Sequence, residues 1–213
     1  MINIKLLGIK EIRNFIFDTN KKKLLIGSRC TGKTSALLLN LAINSTDRNY
    51  PRKSIYVTYS INKIKRDYKI LKDICNELEI FISDYREYEN GILFEIEYSP
   101  IKMMVWNKGD YSLWKHADNY IDEPNSICDF NSLLDKIALE TKAYPDARII
   151  IAGSNIGTSK NLLKLSADLS FSRHVIMLRD HYPAYMFNKL KQSMETIVFE
   201  KEIQCKFIDD KGE

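Results

Sequence analysis

From Ile61 onward the apolar positions are Ile61, Ile64, Tyr68, Leu71, Cys75 and Leu78, at steps of three and four. That spacing predicts one face of a long helix. The other face carries Lys63, Lys65, Arg66, Lys69 and Lys72 and reads as a solvated surface, with a nucleic-acid backbone as the second reading of so basic a stripe. A shorter helix is predicted over 9–17 from Ile9, Ile12, Phe15 and Ile16, ended by Asp18-Thr19-Asn20. Lys21, Lys22 and Lys23 then read as a solvated turn, with direct phosphate contact as the second reading. Alternation over 54–59, with Ile55 and Val57 on one side, predicts a strand. Residues 80–107 read as β structure, with Asn90-Gly91 as the hairpin turn between 85–89 and 92–98, and 101–106 as a third strand. This set is expected to form an antiparallel appendage to a parallel sheet. Leu133, Leu134, Ile137 and Ala138 mark a helix entered from Asp129. The β-branched run 147–152, bounded by Pro145 and Gly153, is the clearest buried strand. One more strand is predicted over 175–178, and helices over 183–191 and 194–205.

Strands separated by helices point to an α/β fold built on a mainly parallel sheet. Between a short apolar run and the helical run 36–43 lies Gly27-Ser28-Arg29-Cys30-Thr31-Gly32-Lys33-Thr34-Ser35, which meets the spacing G-x-x-x-x-G-K-[ST]. In a strand-loop-helix setting, successive backbone N–H groups and the helix N-terminus converge on one small volume suited to phosphate. Lys33 would reach the β- and γ-phosphates, Thr34 would ligate Mg2+, and 27–35 together would cradle the nucleotide. A glycine turn opening a buried helix is the competing reading.

The 213 residues suffice for one sizeable α/β domain, and the formal charge of +4 is mild. Cys30, Cys75, Cys128 and Cys205 show no C-x-x-C spacing, so four reduced and mostly buried thiols are expected. No stretch approaches the ~20 uncharged residues that cross a bilayer, and no membrane partner is expected.

A nucleoside triphosphatase needs a carboxylate at the end of a buried strand to hold Mg2+, and a second group to orient the attacking water. Asp122 and Glu123, stopped by Pro124, supply such a pair at a strand's carboxyl end, where open α/β sheets bind ligands. In a doubly wound sheet the strand 147–152 would lie beside the phosphate-loop strand. Its exit, Gly153-Ser154-Asn155, then offers Ser154 or Asn155 to the γ-phosphate or the water, or is simply a turn.

Taken together, the phosphate loop with Ser28-Arg29, the run Ala117-Asp118-Asn119-Tyr120-Ile121-Asp122-Glu123-Pro124, the triplet Gly153-Ser154-Asn155 and a Phe-x-x-Glu-like segment from Phe199 resemble the N-terminal ATPase domain of the large terminase subunit, the DNA-packaging motor of tailed bacteriophages. The resemblance implies a P-loop NTPase of the additional-strand, catalytic-glutamate type, with a small antiparallel hairpin insertion, using ATP and Mg2+. It implies that Lys33, Arg29 and Glu123 are catalytic, with Arg29 acting on the γ-phosphate. Thr34 and Asp122 would hold the metal, and Ser154 and Asn155 would couple hydrolysis to movement. The implied partners are double-stranded DNA, the portal, the small terminase subunit and further copies in a ring. The implied location is the host cytoplasm, at the portal vertex of the procapsid. Residues 1–213 would form a single ATPase domain, with about 183–213 closing it or leading to a linker, without the family's nuclease domain and so without DNA cleavage by this chain. Where the family places an upstream adenine-reading glutamine this chain has none, since its only glutamines are Gln192 and Gln204. A helicase-like ATPase, a small-molecule kinase sharing the loop, and a non-catalytic nucleotide-binding module are the alternatives.

Overall fold

The computed structural model describes residues 7–28, 31–47, 52–106, 114–154, 160–180 and 183–204. Eight strands form one sheet: β1 Lys22–Gly27, β2 Lys53–Thr58, β3 Arg86–Tyr88, β4 Gly91–Ile96, β5 Ser99–Val105, β6 Ala117–Asp122, β7 Ile149–Gly153 and β8 Ser172–Ile176. Their order is β3-β4-β5-β2-β6-β7-β1-β8. From β5 to β8 every neighbour is parallel, while β3–β4 and β4–β5 are antiparallel. β7 therefore stands between the phosphate-loop strand β1 and the carboxylate strand β6, as the additional-strand arrangement requires.

The helices are α1 Lys10–Phe17, α2 Lys33–Ser45, α3 Ile61–Glu77, α4 Phe130–Ala143, α5 Lys160–Ala167, α6 Ala184–Ser193 and α7 Thr196–Glu202. Alternate strand positions face opposite layers. Leu25, Tyr56, Met103, Tyr120 and Ile150 pack on α1, α2 and α3, whereas Leu24, Ile55, Val57, Ile121 and Ile151 pack on α4 and α5. A third cluster joins Leu178, Phe199 and Ile203 to Phe187, Leu190 and Met194 around α6 and α7.

Four expectations need correcting. The first hairpin turns at Glu89-Asn90, and Gly91 opens β4 opposite Tyr88. A Cβ there would lie 2.0 Å from the Met103 carbonyl oxygen, so the glycine answers to close strand approach. β5 is antiparallel on one edge only: it pairs with β4 there, while its far edge pairs in parallel with β2 and joins the antiparallel hairpin to the main sheet. Lys23 lies inside β1 rather than in a solvated turn and is buried. Of the two described cysteines, Cys75 is buried but Cys128 is exposed. Among the described residues no helix is long and apolar enough to cross a membrane.

Candidate phosphate and metal site

β1 delivers the chain to the loop, and α2 begins at Lys33 with Gly32 as its N-cap. Gly32 has φ 80° and ψ 16°, a left-handed conformation that glycine adopts without steric cost. The Lys33 ammonium donates to the Ser28 carbonyl at 2.7 Å, and the Thr31 hydroxyl donates to the same oxygen at 2.8 Å. Lysine and threonine thus brace the loop across its mouth.

The decisive contact joins segments 88 residues apart: the Thr34 hydroxyl donates to Asp122 Oδ2 at 2.8 Å. Asp122 is fully buried at the end of β6. Its Oδ2 also accepts from the Tyr56 hydroxyl at 3.0 Å and lies 2.5 Å from the Lys63 ammonium. Lys63 reaches Asp67 Oδ2 at 2.7 Å, one turn along α3, and Tyr56 lies within 2.7 Å of that same oxygen. Burial pushes the Lys63 ammonium toward neutrality, but Asp122 and Asp67 outweigh it and raise its pKa. Burial raises the Asp67 carboxyl against the pull of Lys63, and burial next to the two carboxylates raises the Tyr56 phenol well above its ordinary value.

Asp122 Oδ1, by contrast, is enclosed with no hydrogen-bond partner among the described residues. A buried carboxylate oxygen left without a donor is costly unless something else satisfies it. Mg2+ suits this setting, since it takes one or two protein oxygens and fills its remaining positions with water and phosphate. Thr34 Oγ1 and Asp122 are the protein oxygens that fit it.

Glu123 follows in a strained backbone conformation, φ 54° and ψ 62°, which a non-glycine residue adopts only when its surroundings enforce it. Its N–H donates to the Ala152 carbonyl at 2.9 Å. Its carboxylate accepts from the Ser154 N–H at 3.1 Å and the Ser154 hydroxyl at 3.0 Å. Pro124 then begins a 3-10 turn through Ser126, and Asn125 donates to the Ser154 carbonyl at 3.1 Å. Ser154 therefore holds the glutamate's head, a contact beyond the phosphate or water expected of it, while still lining the cavity.

These groups border a cavity of about 390 Å3. It gathers the expected Thr31, Gly32, Lys33, Thr34, Ser35, Glu123 and Ser154, with Asp122 directly beneath Thr34. Gly27 and Ser28 do not line it. The Ser28 N–H donates to the Ile176 carbonyl at 3.0 Å, and its hydroxyl accepts from the Leu178 N–H at 2.9 Å while donating to the Ile203 carbonyl. Both its N–H and its hydroxyl thus serve β8 and the C-terminal helices rather than a phosphate. Arg29, Cys30 and Asn155 lie outside the described residues. Sequence reasoning misses Lys63, Tyr56, Asp67, Tyr59, Arg66, Asn125 and Ser126. The charge pattern puts Lys63 on the solvated face, yet only Lys65, Arg66, Lys69 and the half-buried Lys72 keep to it. A signal is present all the same: Lys63 and Asp67 are oppositely charged, four apart, and each stands one position ahead of a buried apolar residue, Ile64 and Tyr68.

No protein-family model matches the sequence, and no curated protein matches it. Solved structures do. The chain superposes on the large terminase of a thermophilic bacteriophage, in complex with ADP, with a TM-score of 0.73 at 11% identity, covering 93% of this chain and 53% of that one. The Thermus phage P74-26 large terminase ATPase domain gives 0.64 at 12% identity, with 96% and 97% covered. The fold is that of the phage large-terminase ATPase domain. The bacteriophage HK97 large terminase matches with a TM-score of 0.51 at 14% identity, over 89% of this chain and 41% of that one. The chain spans about half the length of the thermophilic-phage terminase and nearly all of the P74-26 ATPase domain. At these identities the likeness shows the fold alone.

Proposed function

We propose that this chain is the Mg2+-dependent ATP hydrolase of a phage terminase, coupling hydrolysis to translocation of double-stranded DNA into a procapsid. The observation that carries the reading is the 2.8 Å contact between Thr34 and Asp122, with Lys33 and Glu123 on the walls of the same cavity. It is supported by a terminase ATPase fold whose thermophilic-phage counterpart was solved with ADP and with ATP-gamma-S. In this reading the N-terminus of α2 and Lys33 bind the triphosphate. Thr34 and Asp122 hold Mg2+, which neutralises charge on the phosphate oxygens when bound. Glu123 accepts the proton of the attacking water, and Ser154 keeps its carboxylate aimed. Arg29 adds positive charge at the γ-phosphate, and Asn155 together with Ser154 reports its presence. The chain acts as one copy in a ring at the portal vertex in the host cytoplasm, with the portal and small terminase subunit as partners.

Glu123→Gln tests the chemistry, since it keeps the side chain's shape and removes the base. Phosphate release should fall by about 10²–10⁴-fold, while binding of a fluorescent ATP analogue stays at the wild-type level. Unchanged release would sink the hydrolase assignment. Label from γ-phosphate appearing on an organic acceptor rather than in free phosphate would make the protein a kinase. Protection of DNA from nuclease in a mixture of this chain, ATP and procapsids tests translocation.

A further inference from the structure

The Asp122 carboxylate is crowded on one oxygen and bare on the other. Oδ2 takes the Thr34 hydroxyl, the Tyr56 hydroxyl and the Lys63 ammonium, whereas Oδ1, equally enclosed, takes nothing from the described residues. A carboxylate has about four lone-pair sites spread over both oxygens, so simple satisfaction would distribute three donors between them. Loading all three onto Oδ2 instead fixes the rotation of the group about its Cβ–Cγ bond. The donors are themselves fixed. Lys63 is held by Asp67 at 2.7 Å, and the Tyr56 hydroxyl sits between Asp67 and Asp122 at 2.7 and 3.0 Å. Lys63, Asp67 and Tyr56 are all almost completely buried.

We propose that Lys63, backed by Asp67 and Tyr56, is a positioning residue that pins Asp122 through Oδ2 and so reserves Oδ1 for the divalent cation accompanying the nucleotide. The inference rests on the nucleotide-binding reading of the cavity. Before a metal arrives, the lysine also supplies the positive charge that two neighbouring buried carboxylates require. Its two effects on the metal oppose each other: its charge repels a second cation, while its grip orients the ligand. The pair Lys63 and Asp67 separates them, because exchanging both for neutral residues leaves the local charge at Asp122 alone, the same net value as before.

The experiment titrates Mg2+ into the full chain at a fixed concentration of a fluorescent ADP analogue and reads the Mg2+ midpoint of binding. In Lys63→Met/Asp67→Asn the midpoint should rise on the order of tenfold or more, the usual cost of removing an outer-shell partner of a metal ligand. The circular dichroism spectrum should stay unchanged. Tyr56→Phe, which removes one donor and little volume, should shift the midpoint the same way by less. Lys63→Arg should lie closer to wild type than the double variant does. A wild-type midpoint in both the double variant and Tyr56→Phe overturns the proposal. Wild-type binding that takes no notice of Mg2+ also overturns it, whereas no binding of the analogue by the wild-type chain at any Mg2+ concentration brings down the nucleotide-site reading itself.

Discussion

Two lysines are buried at opposite ends of the same sheet, and they fare differently. Lys63, at the carboxyl end, meets two carboxylates within 2.7 Å and keeps its proton more tightly than a free lysine. Lys23, near the amino end of β1, finds the Phe15 carbonyl at 3.2 Å and the Phe15 ring, 5.5 Å from its ammonium. Burial dominates there and brings its pKa down to about 8, against the attraction of Asp18. Depth alone therefore does not decide what an enclosed ammonium costs; the nearest counter-charge does. At the amino end of the sheet the fold tolerates a lysine, while at the carboxyl end it is organised around one.

Breaking the Lys63 pair should have the largest effect. Lys63→Met leaves Asp67 and Asp122 facing each other and should cost roughly 3–5 kcal/mol, read from urea unfolding, with Asp67→Asn in the same chain recovering part of the loss. Lys23→Met should move stability the other way, by about 1–3 kcal/mol at pH 7. Lys23 has a folded pKa of about 8 against an ordinary 10.5, so the unfolded state binds more protons between those values and wild-type stability rises with pH across them. The advantage of Lys23→Met should accordingly shrink from pH 8 upward, and a constant advantage would contradict the contrast.

Asp18 sharpens the comparison from the acid side. Burial favours its neutral form, but hydrogen bonds from Ser172, Asn20 and His174 prevail and hold its pKa at about 2, below the ordinary 3.8. Its contribution, of order 1–2 kcal/mol, is present above pH 3.8 and should be lost as pH falls toward 2. Acid unfolding of Asp18→Asn should lack that step, and Lys23 in this variant should titrate lower still. The smallest change expected is from Tyr56→Phe, about 0.5–1.5 kcal/mol, because Lys63 still serves both carboxylates after the hydroxyl is gone.

What is legible in the sequence is what local chemistry dictates. The phosphate loop needs glycine, lysine and threonine at fixed spacing, and Asp122-Glu123 needs a strand end, so both are written in consecutive residues. The buried run in β7 is equally plain. The pairing of β5 with β2 is not, because parallel partners are set by topology and leave no mark in the strand's own alternation. Helix α5 goes unread, and strand β8 begins three residues before its expected start. Lys63 is hidden for another reason: its polarity places it with the wet face, although its position on the helix belongs to the buried stripe. A charged residue crosses to that stripe only when partners from other elements, here Asp122 on β6 and Tyr56 on β2, are brought to meet it.

The hydroxyl of Ser28 has a mechanical consequence. It is fastened on one side to Leu178 and on the other to Ile203, at the two edges of the small C-terminal cluster. A rivet of this kind transmits displacement without amplifying it. Travel of the loop's first turn would therefore pull on the last helices, and torque on those helices would reach the mouth where Lys33 and Thr31 brace the same residue's carbonyl.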